Sequence, residues 1–464
     1  MATPPGPRHR RNLSSRSSRP RSSTKGPLDM PEDLPVASEN PLSPKTSQAQ
    51  SPVNASNASL APSFSPLDNF DSIRVELDSI LATHDLPPLT KDLSYLLRPD
   101  MYHPLSQLDI PPAFRSSFYQ PPPGEPLSSS LSTINSLLAQ GHFLLAAHLC
   151  GTLLTSPAIS PTDNKTIFTL FYTRLACLEL TGNTVFAAQE SKALEDLSSA
   201  FYYVDADLET AGDGQNRSNG RQPYHIVPWP LRVLAVRLQS IGFGDARRSV
   251  AGLYELGLEA RRELMRPDID STQKQIWKER LADLGIRSVN ALIEMGDLDA
   301  ARRSLDTLKG NSADNDSMRI RKILLYLRIG DVGAAKEILH ESSHLEEGVL
   351  KALINMAEGR YDDAVVEWRA LLEKNSNKSS EPMIAQNLAV CLLYTGQLNE
   401  SRALLESLIS ANHSFQSLTF NLSTIYELCS DKSRNLKMRL ADEVAKQTHS
   451  GETNLDRSNA DFKL

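Results

Sequence analysis

Hydrophobic positions between residues 385 and 408 recur with the period of an α-helix. A first apolar stripe is formed by Ala385, Leu388, Ala389 and Leu392. Gly396 follows, and glycine is the residue that most readily adopts the left-handed conformation that ends a helix. A second stripe is formed by Leu398, Leu404, Leu405 and Leu408. The stretch predicts two antiparallel helices joined by a tight turn, with the small residues Ala389 and Ser401 where the helices approach most closely.

The same pattern repeats along the chain. NLSTIYELCS at 421–430 matches NLAVCLLYTG at 387–396 after 34 residues, and Gly296 and Gly330 are also 34 residues apart. Further glycine turns occur at Gly141, Gly182 and Gly359. Five of these turn glycines are followed at the fifth place by alanine, namely Ala146, Ala187, Ala301, Ala335 and Ala364. A helical hairpin of about 34 residues is the unit of tetratricopeptide repeats. We therefore predict an all-α fold, a tetratricopeptide-like α-solenoid of helical hairpins with a disordered N-terminal tail.

The spacing of the turns is not constant. Gly359 follows Gly330 after 29 residues instead of 34. A shorter first helix before Gly359 would explain the missing residues. We expect that first helix to be about one turn shorter than its counterparts.

Composition divides the chain into six segments. Residues 1–66 are rich in Pro, Ser and Arg and lack apolar periodicity, which predicts a disordered basic tail. Residues 67–127 contain a short amphipathic helix at 67–82 and then a proline-rich stretch, which we expect to lie extended over the helices. Hairpins are predicted at 128–204 and an exposed loop at 205–228. The C-terminal array with its capping helix is predicted at 229–446, and a frayed tail at 447–464.

Overall charge and cysteine content narrow the classes of function. The formal net charge of −7 gives no general attraction to nucleic acid. The four cysteines are far apart in apolar helical patterns, which is typical of buried thiols in a reducing compartment. No stretch reaches the roughly 20 apolar residues of a membrane span. We expect no cofactor, no bound metal, no nucleic acid and no membrane span.

One string matches a catalytic motif. His340-Glu341-Ser342-Ser343-His344 has the H-E-x-x-H spacing of zinc peptidases, in which two histidines share a helix face and the glutamate is the general base. Here the string follows the end of a predicted second helix, where side chains face water, and no third ligand of the metzincin type follows. We interpret it as a solvent-exposed helix end. Asp205, Asp207 and Glu209 alternate like a calcium loop but lack its remaining ligands and its glycine.

The remaining candidate site is a surface for partner proteins. In arrays of helical hairpins the first helices line the concave side. On that side the repeat places a candidate partner groove that includes Asn290, Glu294, Arg328 and Tyr394. Polar and aromatic grooves of this kind bind peptides or partner helices.

Two C-terminal strings carry a family resemblance. AVCLLYTG, 389–396, and FNLSTIYEL, 420–428, resemble a hairpin and a following helix in the subunit 12 family of the trafficking protein particle (TRAPP) complex, of fungal type. PLRVLAVRLQSIGFGDARRSVAGLYEL, 230–256, is similar to the leucine-rich hairpin of that family. The resemblance covers residues 229–446. Before Trp229 only the type of pattern matches.

The resemblance implies a non-catalytic scaffold subunit of a multisubunit vesicle-tethering complex. Its partners would be other TRAPP subunits, with an indirect link through the complex to a Rab-type GTPase. The implied setting is transport between endoplasmic reticulum and Golgi and autophagy, in the cytoplasm with peripheral membrane association through the complex. The alternative is a tetratricopeptide co-chaperone that clamps a peptide. Such clamps present several Lys, Arg and Asn residues on one face, whereas here Glu294 lies among the candidates.

Overall fold

The computed structural model describes most of the chain after residue 90. The described residues are 91–108, 110, 115–122, 124–204, 224–267, 269–308, 315–340, 347–374 and 381–447. Several predicted segments lie outside them: the tail at 1–66, the helix at 67–82, the loop residues 205–223 and the tail residues 448–464.

Sixteen α-helices in the described part of the chain form eight consecutive hairpins. The first four hairpins are α1 (Leu127–Ala139) with α2 (Phe143–Leu154), α3 (Asn164–Leu180) with α4 (Thr184–Ser191), α5 (Trp229–Phe243) with α6 (Ala246–Leu264), and α7 (Ser271–Glu294) with α8 (Leu298–Thr307). The last four are α9 (Asn315–Ile329) with α10 (Val332–His340), α11 (Glu347–Ala357) with α12 (Tyr361–Lys374), α13 (Glu381–Tyr394) with α14 (Leu398–Ser410), and α15 (Gln416–Cys429) with α16 (Ser433–Lys446). The predicted all-α solenoid is confirmed.

Glycines with positive φ make most of the turns within hairpins. Their φ angles lie between 68° and 92°, at Gly141, Gly182, Gly244, Gly296, Gly330, Gly359 and Gly396. A residue with a Cβ is strained in this region of backbone space, which explains why glycine recurs there. The last hairpin differs, because Ser430 in the matching place is extended, with φ of −152°.

The residue five places after each predicted turn glycine packs between the two helices of its hairpin. The five alanines at this place are each 0% exposed: Ala146, Ala187, Ala301, Ala335 and Ala364. Ser401 holds the same place after Gly396 and is also 0% exposed. The shorter glycine spacing has the expected cause, since α11 has 11 residues and the first helices on either side, α9 and α13, have 15 and 14.

The core is a series of overlapping apolar clusters. One cluster joins α7 to α11, the next joins α11 to α14, and another joins α13 to α16. In the middle cluster Trp368 is fully buried, and its indole N–H points to the Met356 sulfur at 3.3 Å. Each helix therefore packs mainly on its sequence neighbours, as a solenoid requires.

The N-terminal hairpins have an additional cover. Residues 91–108, the leading segment, contain two 3-10 turns at Ser94–Leu97 and Pro99–Met101. Leu93 and Leu96 of this segment are 0% exposed in the same core as α2, α3 and α4. Helix α3 is consequently buried from Ile167 through Leu178. A helix that is buried on all sides can carry apolar residues on every face, and the polar residues within this stretch, Thr169, Thr173 and Arg174, are buried with hydrogen-bond partners.

A buried ion pair fixes the leading segment. The Arg174 guanidinium on α3 binds the Glu190 carboxylate on α4 through two contacts of 2.7 Å. Arg174 also donates to the His103 carbonyl at 2.9 Å, and the His103 backbone N–H donates to Glu190 at 2.9 Å. Gly151 on α2 makes room for this pair, because a Cβ there would clash with Nη1 of Arg174.

The end of the predicted exposed loop is packed. Tyr224–His225 forms strand β2, antiparallel to strand β1 at Tyr203–Val204. Ile226 and Val227 follow and are 8% and 2% exposed. The expectation of an exposed loop up to residue 228 therefore differs from the structure at its last residues. Their apolar side chains join the N-terminal core because α5 begins directly afterwards and holds them against it.

Candidate partner-binding surface

The first helices of successive hairpins contact one another through polar side chains. The Arg328 guanidinium on α9 donates to the Asn290 side-chain oxygen on α7 at 2.8 Å. Asn290 is half-buried and Arg328 is exposed. Two of the four predicted groove residues are thus brought together, by helices whose turns lie 34 residues apart in sequence.

Glu294 takes part in a second contact on the same side. It lies one turn after Asn290 on α7, with its carboxylate 3.9 Å from Nη2 of Arg237 on α5. Arg237 also pairs with Glu179 on α3. A line of paired charges therefore crosses the first helices α3, α5 and α7.

Tyr394 is separate from this group. It ends α13, is 64% exposed and stacks on Tyr361 of α12, with ring centroids 4.3 Å apart and planes inclined by 6°. Burial raises the pKa of Tyr361. The two stacked phenols form a flat aromatic surface, and aromatic residues of this kind are enriched in protein interfaces.

An apolar cleft that the sequence did not predict adjoins Tyr394. It is lined by Ala389, Val390, Leu393, Leu405, Phe420, Asn421, Thr424 and Ile425. Val390 lies one turn before Tyr394 on α13, and α15 supplies the opposite wall. The side chain of Gln386 on α13 accepts a hydrogen bond of 3.2 Å from the Ser417 hydroxyl on α15 at the same interface.

The predicted residues lie in two regions of the array, on the first helices α7 and α9 and on the first helix α13. Asn290, Glu294 and Arg328 form a polar group, and Tyr394 belongs to an aromatic group two hairpins further along. Arg328 is held by Asn290, and Glu294 lies near Arg237, so each of these polar side chains already has a neighbour that orients it. Such an arrangement suits recognition of a protein surface more than transfer of protons.

Candidate metal ligands were also located. His340 is the exposed last residue of α10, whereas residues 341–344 of the H-E-x-x-H string lie outside the described residues. Asp205, Asp207 and Glu209 also lie outside them. Across the described ranges, no group of three or more His, Cys, Asp or Glu side chains is placed to hold a metal ion. Likewise, none of the described helices has the length and apolar character needed to cross a membrane.

The cysteines have the burial that their sequence contexts predicted. Cys150, Cys177 and Cys391 are buried, and Cys429 is half-buried. Burial raises the pKa of Cys150 to about 12 and that of Cys391 to about 11. These thiols remain protonated at neutral pH, so they lack the reactivity of thiolates.

A second surface was missed from the sequence. Trp229 on α5 and Trp277 on α7 meet edge to face, with ring centroids 5.3 Å apart. Arg280 lies over both rings, at 4.5 Å from Trp277 and 5.1 Å from Trp229, and Arg232 lies 5.4 Å from Trp229. The four side chains form the tryptophan–arginine cluster. A W-x-x-R string occurs at 229–232 and again at 277–280, and this repeated i, i+3 spacing could have identified it.

Comparison with known proteins gives two related matches. No family model matches the chain. The chain is 24% identical over 356 residues to trafficking protein particle complex subunit 12 of Mus musculus, an alignment that covers 69% of this chain and 43% of the mouse protein. It is 23% identical over 356 residues to the Homo sapiens protein of the same name, covering 69% of this chain and 47% of that protein. The chain therefore spans about half the length of the curated relatives it matches. This similarity supports the resemblance indicated by the C-terminal strings.

Proposed function

We propose that the chain is a non-catalytic scaffold subunit of a TRAPP-type tethering complex. The observation that carries this proposal is the similarity to subunit 12 of that complex over 356 residues in two organisms. In this role the chain acts in transport between endoplasmic reticulum and Golgi and in autophagy. It reaches membranes and a Rab-type GTPase through the other subunits of the complex.

The architecture supports a binding role. Eight hairpins stacked through overlapping cores display a long surface without needing a single closed site. The turn glycines and the buried alanines at the fifth place support a tetratricopeptide-type assignment of these hairpins. We assign the C-terminal array, 229–446, as the part that holds partners, because it contains the family strings and both groups of groove residues.

We propose that the aromatic group makes contact with a partner. Tyr394 is largely exposed, Tyr361 holds its ring in one orientation, and the apolar cleft beside it can receive a side chain. The polar group fixes the direction of approach through Arg328 and Glu294. A partner helix with an apolar stripe and polar edges has the complementary chemistry.

The charge distribution argues against a co-chaperone clamp. A clamp for a peptide carboxylate needs cations on one face with free donors. Here Arg328 is engaged by Asn290, and Arg237 is engaged by two carboxylates, Glu179 and Glu294. A negative end of a peptide would therefore meet acids as well as bases on this face.

Affinity purification of the endogenously tagged chain tests the proposed function. Other TRAPP subunits should co-purify in constant ratio, and nucleotide exchange on the Rab-type GTPase should remain with the complex after this chain is removed. Recovery of Hsp70 or Hsp90 in their place would favour the co-chaperone. A chain that purifies alone would contradict both functions.

A variant pair locates the interface. Tyr394→Ala should reduce recovery of the other subunits, because it removes the exposed ring of the stacked pair. The control is Val366→Ala on α12, a second helix, whose side chain is 67% exposed. Equal recovery with the two variants would place the interface elsewhere, while the identity of the complex would stand.

A further inference from the structure

The tryptophan–arginine cluster has more positive than negative charge. Arg232 pairs with Glu259 through both terminal nitrogens, one of them at 2.8 Å. Arg280 contacts the two indole rings, but among the described residues it makes neither a hydrogen bond nor an ion pair. His225 is neutral at neutral pH, because its burial and the nearby Arg232 lower its pKa to about 4. One carboxylate therefore faces two guanidinium groups.

Partial burial of Arg280 is the second observation. Desolvation, and then repulsion from Arg232, lower its pKa to about 10. A guanidinium with a bound carboxylate would be held in its charged form instead. The Nε of Arg232 also has no hydrogen-bond partner, but it is buried in a residue that is only 6% exposed, so Arg280 is the guanidinium that a ligand reaches first.

Nearby acids do not supply the missing charge. Asp283 lies three residues after Arg280 on α7, and its carboxylate is paired with Arg287 at 2.6 Å. Glu263 on α6 is paired with Arg266 at 2.8 Å. Glu259 acts on both Arg232 and Arg280, so one of the two positive charges is left for a group from outside these helices.

The start of α5 adds to the attraction for an anion. This helix begins at Trp229, inside the cluster, and it has no capping side chain and no acid in its first turn. Its N-terminus carries the positive end of the helix dipole. The guanidinium groups and the helix end therefore act together on the same region.

We propose that the tryptophan–arginine cluster binds a carboxylate side chain of an acidic segment in a partner protein. Arg280 forms a two-pronged contact with the carboxylate, and the indoles of Trp229 and Trp277 cover the aliphatic stem of the bound residue. Trp and Arg are the residue types most enriched at energetically dominant points of protein interfaces. A carboxylate matches the planar fork of Arg better than it matches a lysine.

Binding of a model peptide to the full chain tests this site. The probe is a hexaglutamate peptide blocked at both ends, and the readout is tryptophan fluorescence. Trp229 and Trp277 are the two accessible indoles, since the third tryptophan, Trp368, is 0% exposed. We expect a saturable change that weakens with salt. Blocked hexaglutamine should produce none.

Substitutions of Arg280 test whether this residue causes the fluorescence change with hexaglutamate. Arg280→Gln should weaken binding by about tenfold or more, the loss expected when a charge-assisted two-pronged contact is removed. Arg280→Lys should give an intermediate loss, and it serves as the test if the glutamine variant does not fold. The matched control is Arg303→Gln, which removes an exposed arginine from the neighbouring helix α8, leaves the Asp283–Arg287 pair intact and should leave binding unchanged.

Three results would overturn the assignment. They are the absence of a fluorescence change with hexaglutamate, an equal loss in Arg280→Gln and Arg303→Gln, and stronger binding of inorganic phosphate than of the peptide. The last result would indicate a phosphate group as the ligand. Because the isolated chain is used, the outcome does not depend on which proteins co-purify, and the proposed function is tested separately.

Discussion

The Ser401 hydroxyl donates a hydrogen bond to the main-chain carbonyl of Ala389, 2.6 Å away, across the hairpin formed by α13 and α14. Both residues are 0% exposed. A side chain as short as serine can reach the backbone of the facing helix only where the two helices are nearly in contact. The pair therefore marks a close approach of the two helices in this hairpin, and Ala389 also lines the apolar cleft between α13 and α15.

Ala389→Leu should destabilise the C-terminal hairpins. Three additional heavy atoms that press on the facing helix α14, beyond what the apolar cleft beside Ala389 takes up, cost about 1–3 kcal/mol of unfolding free energy. In an array that is stabilised by nearest neighbours, the effect falls on adjacent units. We expect faster amide hydrogen exchange from about residue 352 to 446 and little change at 128–204. The control is Ala403→Leu, an exposed position on α14 of the same hairpin.

Two outcomes would contradict this prediction. Equal exchange in Ala389→Leu and Ala403→Leu would mean that the contact has room for a larger side chain. Loss of the whole chain in one unfolding transition would mean that the hairpins form a single cooperative unit, so that the repeat is not the unit of stability.

The sequence indicated the Ala389–Ser401 contact but not the contacts between distant segments. Within a hairpin, the turn glycine fixes which residues face each other, so the fifth-place alanines are predictable from local spacing alone. Trp229 and Trp277 meet only because α5, α6 and α7 pack in one order. The stacking of Tyr361 on Tyr394 likewise depends on packing between hairpins, and the binding of His103 by Arg174 and Glu190 depends on where the leading segment crosses one hairpin. The hydrophobic period of a helix does not predict which distant helices pack together.

The H-E-x-x-H string should bind no metal. His340 is exposed at the end of α10, where nothing among the described residues supplies a third ligand. Purified protein and its His340→Ala and His344→Ala variants should show the same zinc content by elemental mass spectrometry and the same thermal midpoint. Stoichiometric zinc in the parent protein that is lost in either variant would revive the zinc-peptidase interpretation.

The protein should become less stable as the pH is lowered, because His225 resists protonation in the folded state. Burial, and then Arg232, lower the pKa of this histidine from 6.5 to about 4. The neutral ring is held by two contacts, Nε2 to the Leu197 carbonyl at 2.8 Å and Nδ1 from the Val227 N–H at 3.0 Å. Between about pH 6.5 and 4 the unfolded chain binds a proton that the folded chain does not. The free energy of unfolding therefore decreases as the pH is lowered, by up to about 3 kcal/mol.

Substitution of His225 separates this histidine from other acid-sensitive groups. His225→Gln cannot be protonated in this range, so its unfolding free energy in urea should depend less steeply on pH between 6.5 and 4. At pH 7.5 the variant should be the less stable protein, because it loses one of the two ring contacts. The same slope in variant and parent would show that His225 does not cause the loss.

Glu190→Gln should uncouple the leading segment from the N-terminal hairpins. The substitution keeps the shape of the side chain but leaves the guanidinium of Arg174, whose side chain is 3% exposed, buried without its counter-ion. Breaking a buried ion pair from one side costs about 3–5 kcal/mol. The surface pair of Arg369 and Glu400, with side chains 46% and 52% exposed, provides the control. Arg369→Gln should change the urea midpoint little.

A double substitution separates two roles of the Arg174–Glu190 pair: balancing its own buried charges and holding the leading segment through His103. Arg174→Met with Glu190→Leu removes both charges and fills much of the same volume, so most of the lost stability should return. The contacts of the pair with the His103 carbonyl and N–H are absent in this variant. Amide exchange in residues 91–108 should therefore stay fast even though α2, α3 and α4 regain their protection. If those residues instead recover with the helices, the leading segment is held by Leu93, Leu96 and Tyr102, and the ion pair serves the hairpins alone. If Glu190→Gln costs no more than Arg369→Gln, the pair has no structural role at this site.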